Sequence, residues 1–171
     1  METLEELYQE QLKDLYSAEN QLLKAMPKMA KKLSSAKLIK AFEDHKKQTE
    51  QQVERLKQIG EAGGFKLTGK VCAAMKGLIE EAQETMEDGE KGPILDAALV
   101  ADAQRIEHYE ISAYGTARTL AEYLSETKAA KLLEQTLKEE SATDEKLTKI
   151  VMSDVYPSAP LDAAELDAME A

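Results

Sequence analysis

Four long segments of the sequence carry apolar residues at alternating steps of three and four, and each stripe is interrupted near its middle by a polar side chain. Such a stripe is typical of a helix that buries one face. The interrupting residues that could bind a metal are Glu19, His45, Glu110 and Glu140, one from each segment. Because the midpoints of antiparallel helices of similar length meet in one layer, we expect these four side chains to approach each other.

Two further carboxylates stand one helical turn from members of this set. Glu107 precedes Glu110 by three residues, and Asp144 follows Glu140 by four. Residues three and four apart lie on the same side of a helix. Both could therefore join the cluster, either as ligands or as hydrogen-bond acceptors behind the ligands.

Several carboxylates in one apolar layer cannot all stay ionised without a counter-charge, because like charges in a low dielectric raise each other's pKa. Lys and Arg are absent from the four stripes, so a metal cation is the simplest partner. Carboxylate oxygens with one imidazole suit iron or manganese, and bundle proteins with two metal ions take one or two ligands from each helix. The alternative is a metal-free cluster that is protonated, hydrogen-bonded or filled only with water.

Other residues near the stripes have simpler interpretations. Tyr114 follows Glu110 by one turn, where core packing is the first expectation and a hydrogen bond to a ligand is the second. His108 points away from Glu110, so we expect it to be exposed or at an interface. The sequence contains no phosphate-binding glycine loop, nucleophile elbow, paired cysteines or HExxH motif.

Glycine, proline and capping residues divide the chain into four long helices and one short helix. The predicted helices run from about Thr3 to Leu33, from a Ser34 or Ser35 cap to near Gly60, from Val71 to Glu87, from Pro93 to near Leu124, and from a Ser125 or Thr127 cap to near Val155. Pro27 lies inside the first helix and is a candidate for a kink.

The lengths of the connections predict the topology. Short links join the first two long helices and the last two, so each pair should be an antiparallel hairpin. About thirty residues separate the hairpins, which is enough for a crossover that contains the short helix. We therefore predict an all-α, ferritin-like antiparallel four-helix bundle over residues 1–156. The acidic tail, residues 157–171, is expected to be flexible.

Composition and charge exclude several functions. The net charge of −11 repels phosphate backbones and anionic lipid, so we expect no binding to nucleic acid or membranes. No apolar run approaches the roughly 20 residues that a membrane span needs. The single cysteine, Cys72, cannot form an internal disulfide. Since the N-terminal residues also lack the features of a signal peptide, the expected location is the cytoplasm.

Several segments match a known pattern, in order and at matching spacing, up to about Val155. They are residues 14–22 (DLYSAENQL), 45–49 (HKKQT), 53–56 (VERL), 72–82 (CAAMKGLIEEA), 107–115 (EHYEISAYG) and 128–133 (KAAKLL), with Glu139, Glu140 and residues 142–144 (ATD). Together these segments resemble the YciF/YciE family of ferritin-like bacterial stress proteins.

The resemblance implies a ferritin-like bundle with a dinuclear iron or manganese centre, a homodimer rather than a cage, and a role in stress tolerance. By position, Glu19, Glu110 and Glu140 match the family's inward carboxylates, and His45 matches its histidine on the second helix. One departure is Gln48, where relatives commonly carry Glu. A neutral amide binds a hard cation more weakly, which implies lower occupancy at one of the two metal positions.

Two functions of different classes follow. The leading hypothesis is a dimetal oxidoreductase with catalase-like, peroxide-handling or ferroxidase-like chemistry, in which Glu19, His45, Glu110 and Glu140 bind the metals. The alternative is a metal-free helical stress or scaffold protein. For the dimer, we expect a contact through apolar residues of the short helix, which are Val71, Met75, Leu78 and Ile79.

Overall fold

The computed structural model describes residues 1–162 and contains five α-helices, with no strand among these residues. The helices are α1 (Leu4–Lys32), α2 (Ala36–Gly63), α3 (Ala73–Asp88), α4 (Pro93–Tyr123) and α5 (Thr127–Ile150). The four long helices of the sequence analysis are α1, α2, α4 and α5, and the short one is α3. The predicted all-α class is therefore confirmed.

Local sequence explains most of the helix ends. The Thr3 and Ser35 hydroxyls accept hydrogen bonds from the backbone N–H groups of Glu6 and Leu38, which caps α1 and α2. Gly64 ends α2 in the left-handed conformation with φ of 69°.

The start of α5 differs from the prediction, because neither Ser125 nor Thr127 caps it. Glu126 occupies the N-cap position without a side-chain hydrogen bond. Ser125 is instead used in the tight turn after α4, where it adopts a positive φ of 62°. The chain needs a left-handed residue there, and a short polar side chain tolerates that conformation better than most.

The long helices form two hairpins joined by the crossover, as the connection lengths predict. Helix α1 packs against α2 and α4, while α5 packs against α4 and α2. The pairs α1 with α5 and α2 with α4 are therefore diagonal in the bundle. Helix α3 covers the face formed by α1 and α4.

The apolar core is split into two ends with a polar layer between them. One end is built around buried residues of α1, α2, α4 and α5, which are Met29, Leu33, Leu38, Phe42, Leu95, Leu99, Ala103, Leu147 and Val151. The other end contains Tyr8, Leu12, Leu15, Leu56, Ile59, Tyr114, Ala117, Ala130 and Leu133. This division confirms that each stripe is apolar at its ends and polar in its middle.

Beyond Ile150 the helical path continues through a π-helical turn, Val151–Val155, and a 3-10 turn, Tyr156–Ser158. Residues 163–171 of the predicted tail lie outside the described residues, so the domain boundary at residue 156 stays a prediction. Within residues 1–162, each helix is too short or too polar to cross a membrane.

Candidate metal centre

The polar layer contains five side chains that could bind a metal, and each is buried. Glu19, Glu110 and Glu140 have no exposed surface, Glu107 is 2% exposed and His45 is 8% exposed. Glu19 comes from α1, His45 from α2, Glu107 and Glu110 from α4, and Glu140 from α5. Solvent therefore comes closest to this layer at His45.

Four of these residues form a compact cluster. One ligand atom from each of His45, Glu107, Glu110 and Glu140 lies within 4.8 Å of the others. The Nε2 atom of His45 is 3.1 Å from Oε1 of Glu107 and 4.0 Å from Oε2 of Glu140. The sequence predicts that Glu107 could join the stripe residues, and the structure brings it among them.

Glu19 lies beside this cluster and is held by a tyrosine. The hydroxyl of the fully buried Tyr114 donates a hydrogen bond to Oε1 of Glu19. Tyr114 thus has both roles that the sequence suggests, since it packs in the core and donates to a carboxylate. The other oxygen of Glu19, Oε2, has no hydrogen-bond partner.

Glu140 is oriented by a network that the sequence analysis missed. The amide of Gln52, buried on α2, donates to Oε1 of Glu140 and also to Oε2 of Glu139, at 3.2 Å. Arg55, one turn further along α2, donates to both oxygens of Glu139, at 2.5 and 2.7 Å. Arg55 also donates to the hydroxyl of Thr136 at 3.0 Å. The sequence contains an indication of this network. The arginine stands beside the buried Leu56, and a buried arginine needs an acidic partner.

The remaining polar atoms of the layer point at each other without hydrogen-bond partners. They are Oε2 of Glu19, Oε2 of Glu107, both carboxylate oxygens of Glu110, Oε2 of Glu140, and Nε2 of His45, which lies 3.1 Å from Oε1 of Glu107 without the geometry of a hydrogen bond. Buried polar atoms are almost always paired, and an unpaired one costs roughly 1 to 3 kcal/mol. This donor set of carboxylate oxygens and one imidazole fits a divalent cation of the iron or manganese type.

Burial and mutual repulsion raise the pKa of every carboxyl in the layer. Burial is the larger cause for Glu19 and Glu107, and with the charges of neighbouring carboxylates it raises each pKa to about 8. The pKa values of Glu110 and Glu140 are raised well above the usual range, again first by burial. Without a cation, the layer therefore holds protons at neutral pH.

Three polar residues singled out in the sequence lie outside the cluster. Asp144 is turned toward α4, where Oδ1 accepts from the Gln104 amide at 2.8 Å and Oδ2 is 3.4 Å from Nε2 of His108. A step of four residues turns Asp144 by about 40° from Glu140 about the helix axis, and this turn is directed toward α4 and away from the layer. His108 is exposed, as expected. Gln48 is half-buried at the outer side of His45, and its Oε1 is 3.5 Å from Thr143 Oγ1.

Comparisons with known proteins agree with this architecture. The family model described as "Domain of unknown function (DUF892)" matches residues 3–159. Protein YciF of Escherichia coli (strain K12) is 49% identical over 160 residues, which cover 93% of this chain and 96% of that protein.

Solved structures give the same result. The crystal structure of the E. coli stress protein YciF matches with a TM-score of 0.87 and 49% identity, over 91% of this chain and 98% of that one. YcfI from Rhodopseudomonas palustris matches with a TM-score of 0.83 and 41% identity, over 86% of this chain and 94% of that one. These matches cover most of the chain.

Proposed function

The chain belongs to the DUF892 family, together with YciF, and from this premise we propose that it is a ferritin-like stress protein whose carboxylate layer holds iron or manganese. In this proposal Glu19, His45, Glu107, Glu110 and Glu140 hold a dinuclear centre. The stress role is supported by the description of the E. coli relative as a stress protein. Asp144 would lie outside the set of metal ligands, in contact with Gln104 and His108.

One observation carries the proposal, which is the set of unpartnered ligand atoms that converge from α2, α4 and α5, with the unpartnered Oε2 of Glu19 from α1 beside them. Among the ion pairs of residues 1–162, His45 is the one basic side chain that reaches these carboxylates. Arg55 is occupied by Glu139. A cation bound in the layer would neutralise the carboxylates and give each unpartnered oxygen a ligand bond, which removes two costs at once.

A bound pair of redox metals would supply the redox chemistry for peroxide disproportionation, for peroxide reduction by an external reductant, or for oxidation of Fe(II) by an external oxidant. The protein's own residues would orient the ligands and exclude water. The hydrogen bonds from Tyr114 and Gln52 each occupy one oxygen of a carboxylate and leave the other free to bind. The apolar clusters at both ends of the layer exclude bulk water.

The proposal predicts that the protein purified without chelators, or reconstituted with Fe(II) or Mn(II), binds up to two metal ions per chain and melts at a higher temperature than the metal-free protein. At a free metal concentration of 100 times Kd, the gain in the free energy of unfolding is about 2.7 kcal/mol. Elemental analysis and thermal unfolding measure both quantities. Absence of bound metal after reconstitution, with an unchanged melting temperature, would contradict the metal-centre proposal.

A metal-free stress or scaffold protein is the second candidate, and the raised pKa values favour it. Carboxyl groups with pKa values of about 8 can neutralise the layer by holding protons at neutral pH. Gln48, a neutral amide near His45, also adds no carboxylate to the layer. In this case the layer would be a set of protonated carboxyls that fixes how the helices align.

We also propose that the protein is a homodimer in the cytoplasm, as the sequence suggests. The α3 region exposes less apolar surface to a partner than expected. Met75 is fully buried in the chain's own core, and Leu78 and Ile79 are half-buried against it, so Val71 is the exposed member of the set. We predict that light scattering gives the mass of two chains and that Val71→Asp shifts the equilibrium toward one. A monomer or a large cage for the unaltered protein would contradict the dimer.

A further inference from the structure

The outer surface between α2 and α5 carries a groove that reaches the carboxylate layer. This groove, which we call the α2/α5 groove, has a volume of about 440 Å³ and is lined by Ala41, His45, Gln48, Ala142, Thr143 and Lys146 among others. The opposite face, between α1 and α4, is covered by α3. His45, the most exposed member of the layer, forms part of the groove wall.

A second, inner cavity lies directly behind the groove. Its volume is about 20 Å³, and its walls include Glu107 together with apolar residues such as Met26, Phe42 and Ile106. A cavity of this size holds about one water molecule, which requires roughly 10 to 15 Å³. The inner cavity therefore gives a water-sized molecule a place beside Glu107.

The groove and the inner cavity share four wall residues, which are Ala41, His45, Thr143 and Leu147. Thr143 is the small polar member of this wall. Its hydroxyl lies 3.5 Å from Nδ1 of His45 and donates to the backbone carbonyl of Glu139 at 3.1 Å. The barrier between solvent and the layer is thus the thickness of two side chains, Thr143 and His45.

Charges along the groove are balanced. Lys47 and Lys146 line it together with Asp44 and Glu139. Lys146 is 4.0 Å from Asp44, and Glu139 is paired with Arg55. Such a groove does not select strongly for one sign of charge, so size and the buried carboxylates determine what passes inward.

From these observations we infer that the α2/α5 groove is the entrance through which metal ions and water-sized molecules such as peroxide reach the carboxylate layer, with Thr143 as the barrier. This inference rests on the proposed metal centre and adds its route of access. It predicts that substitutions in the groove change the rate of metal uptake while the final amount of bound metal stays the same.

The test measures the rate at which Co(II) enters the metal-free protein, followed by visible absorbance, and the final Co(II) content by elemental analysis. Ala142 is exposed in the groove, so Ala142→Phe should cover the entrance without disturbing the core and slow uptake by about tenfold or more. Thr143→Ala removes the barrier atoms and should speed uptake by roughly threefold or more.

Ala62→Phe is the matched control. Ala62 is also an exposed helical alanine, and it lines a separate cavity at the end of the bundle that includes no residue of the carboxylate layer. Its uptake rate should stay within about twofold of the unaltered protein, since the barrier is unchanged. Equal rates in all three variants, with normal final Co(II) content, would overturn the entrance but leave the metal centre intact. Failure of the unaltered protein to bind Co(II) at all would overturn both.

Discussion

Replacing Glu110 with glutamine is expected to remove most of the bound metal and, in the metal-free protein, to raise the free energy of unfolding at pH 7. Glu110 is fully buried, and neither of its carboxylate oxygens has a hydrogen-bond partner. Burial, with the charges of Glu19 and Glu140, raises its pKa well above the usual value.

The sign of the stability change follows from protonation. The raised pKa of Glu110 favours its protonated form in the folded chain, whereas the carboxyl is ionised at pH 7 in the unfolded chain. If Glu110 takes up a proton on folding at pH 7, this costs on the order of 3 kcal/mol. Glutamine has nearly the same shape, forms helix as readily and avoids this cost. With metal present the order should reverse, because the unaltered protein gains about 2.7 kcal/mol at 100 times Kd and the variant gains much less.

Urea unfolding with and without Fe(II) or Mn(II), together with elemental analysis, measures this reversal. Glu43→Gln is the matched control, because Glu43 is an exposed glutamate on α2 and its replacement should change the free energy of unfolding by less than about 0.5 kcal/mol. Full metal content in Glu110→Gln, or lower stability of this variant without metal, would contradict the assignment of Glu110.

The depth of each buried carboxylate could be predicted from the sequence because it depends on two simple regularities. A stripe at steps of three and four fixes which face of a helix is buried, and short links fix which helices are antiparallel neighbours. Together they place Glu19, His45, Glu110 and Glu140 at one level, which is the level at which the structure has them. Helix length and connection length thus suffice for the position of a residue along the bundle axis.

Rotation about each helix axis was harder to predict. Asp144 and Glu107 each lie one turn from a buried carboxylate, yet Glu107 is inside the layer and Asp144 is outside it. On α5 the side that faces α2 carries Thr136 and Thr143, whereas the side that faces α4 carries Asp144. A stripe drawn from one helix does not say which neighbour lies on which side, so the direction of the turn away from the buried carboxylate decides the outcome, and its size of about 40° to 60° does not.

Pairs of polar residues from distant parts of the chain were also missed. Asp96, which is 1% exposed, accepts hydrogen bonds from the backbone N–H groups of Ser34 and Ser35 and from the Ser34 hydroxyl. This contact ties the α1–α2 turn to the first turn of α4. Like the pair of Arg55 and Glu139, it joins residues more than sixty positions apart, and a periodic pattern within one helix carries no information about such partners.

The largest expected effect of pH is a fall in the stability of the metal-free protein as the pH rises from 5 to 8. Glu19 and Glu107 have pKa values raised to about 8 in the folded chain, against an ordinary value of 4.5. A carboxyl whose pKa is higher in the folded chain than in the unfolded chain stabilises the folded state fully at a pH below its unfolded pKa. This contribution is lost as the pH rises to its folded pKa. The slope should be on the order of 1 kcal/mol per pH unit for each carboxyl that stays protonated.

Groups with lowered pKa values do not hide this effect. Asp14 and Glu139 have pKa values below their ordinary ones, so the stability that they contribute is lost at a pH below about 4.5, outside the window. Metal should oppose the fall, since it binds the deprotonated carboxylates and its affinity therefore increases with pH. Urea unfolding at several pH values, with and without Mn(II), measures both trends.

Glu110→Gln provides the control for the origin of the slope. If Glu110 is one of the groups that hold a proton, its replacement should make the slope of the metal-free protein shallower by about 1.4 kcal/mol per pH unit. Glu43→Gln should leave the slope unchanged. A metal-free protein whose stability is constant or rises between pH 5 and 8 would show that the layer is ionised without metal. Some other cation would then have to neutralise it. His45 is the basic side chain within the layer, and Arg55 is held two side chains away behind Gln52 and Glu139.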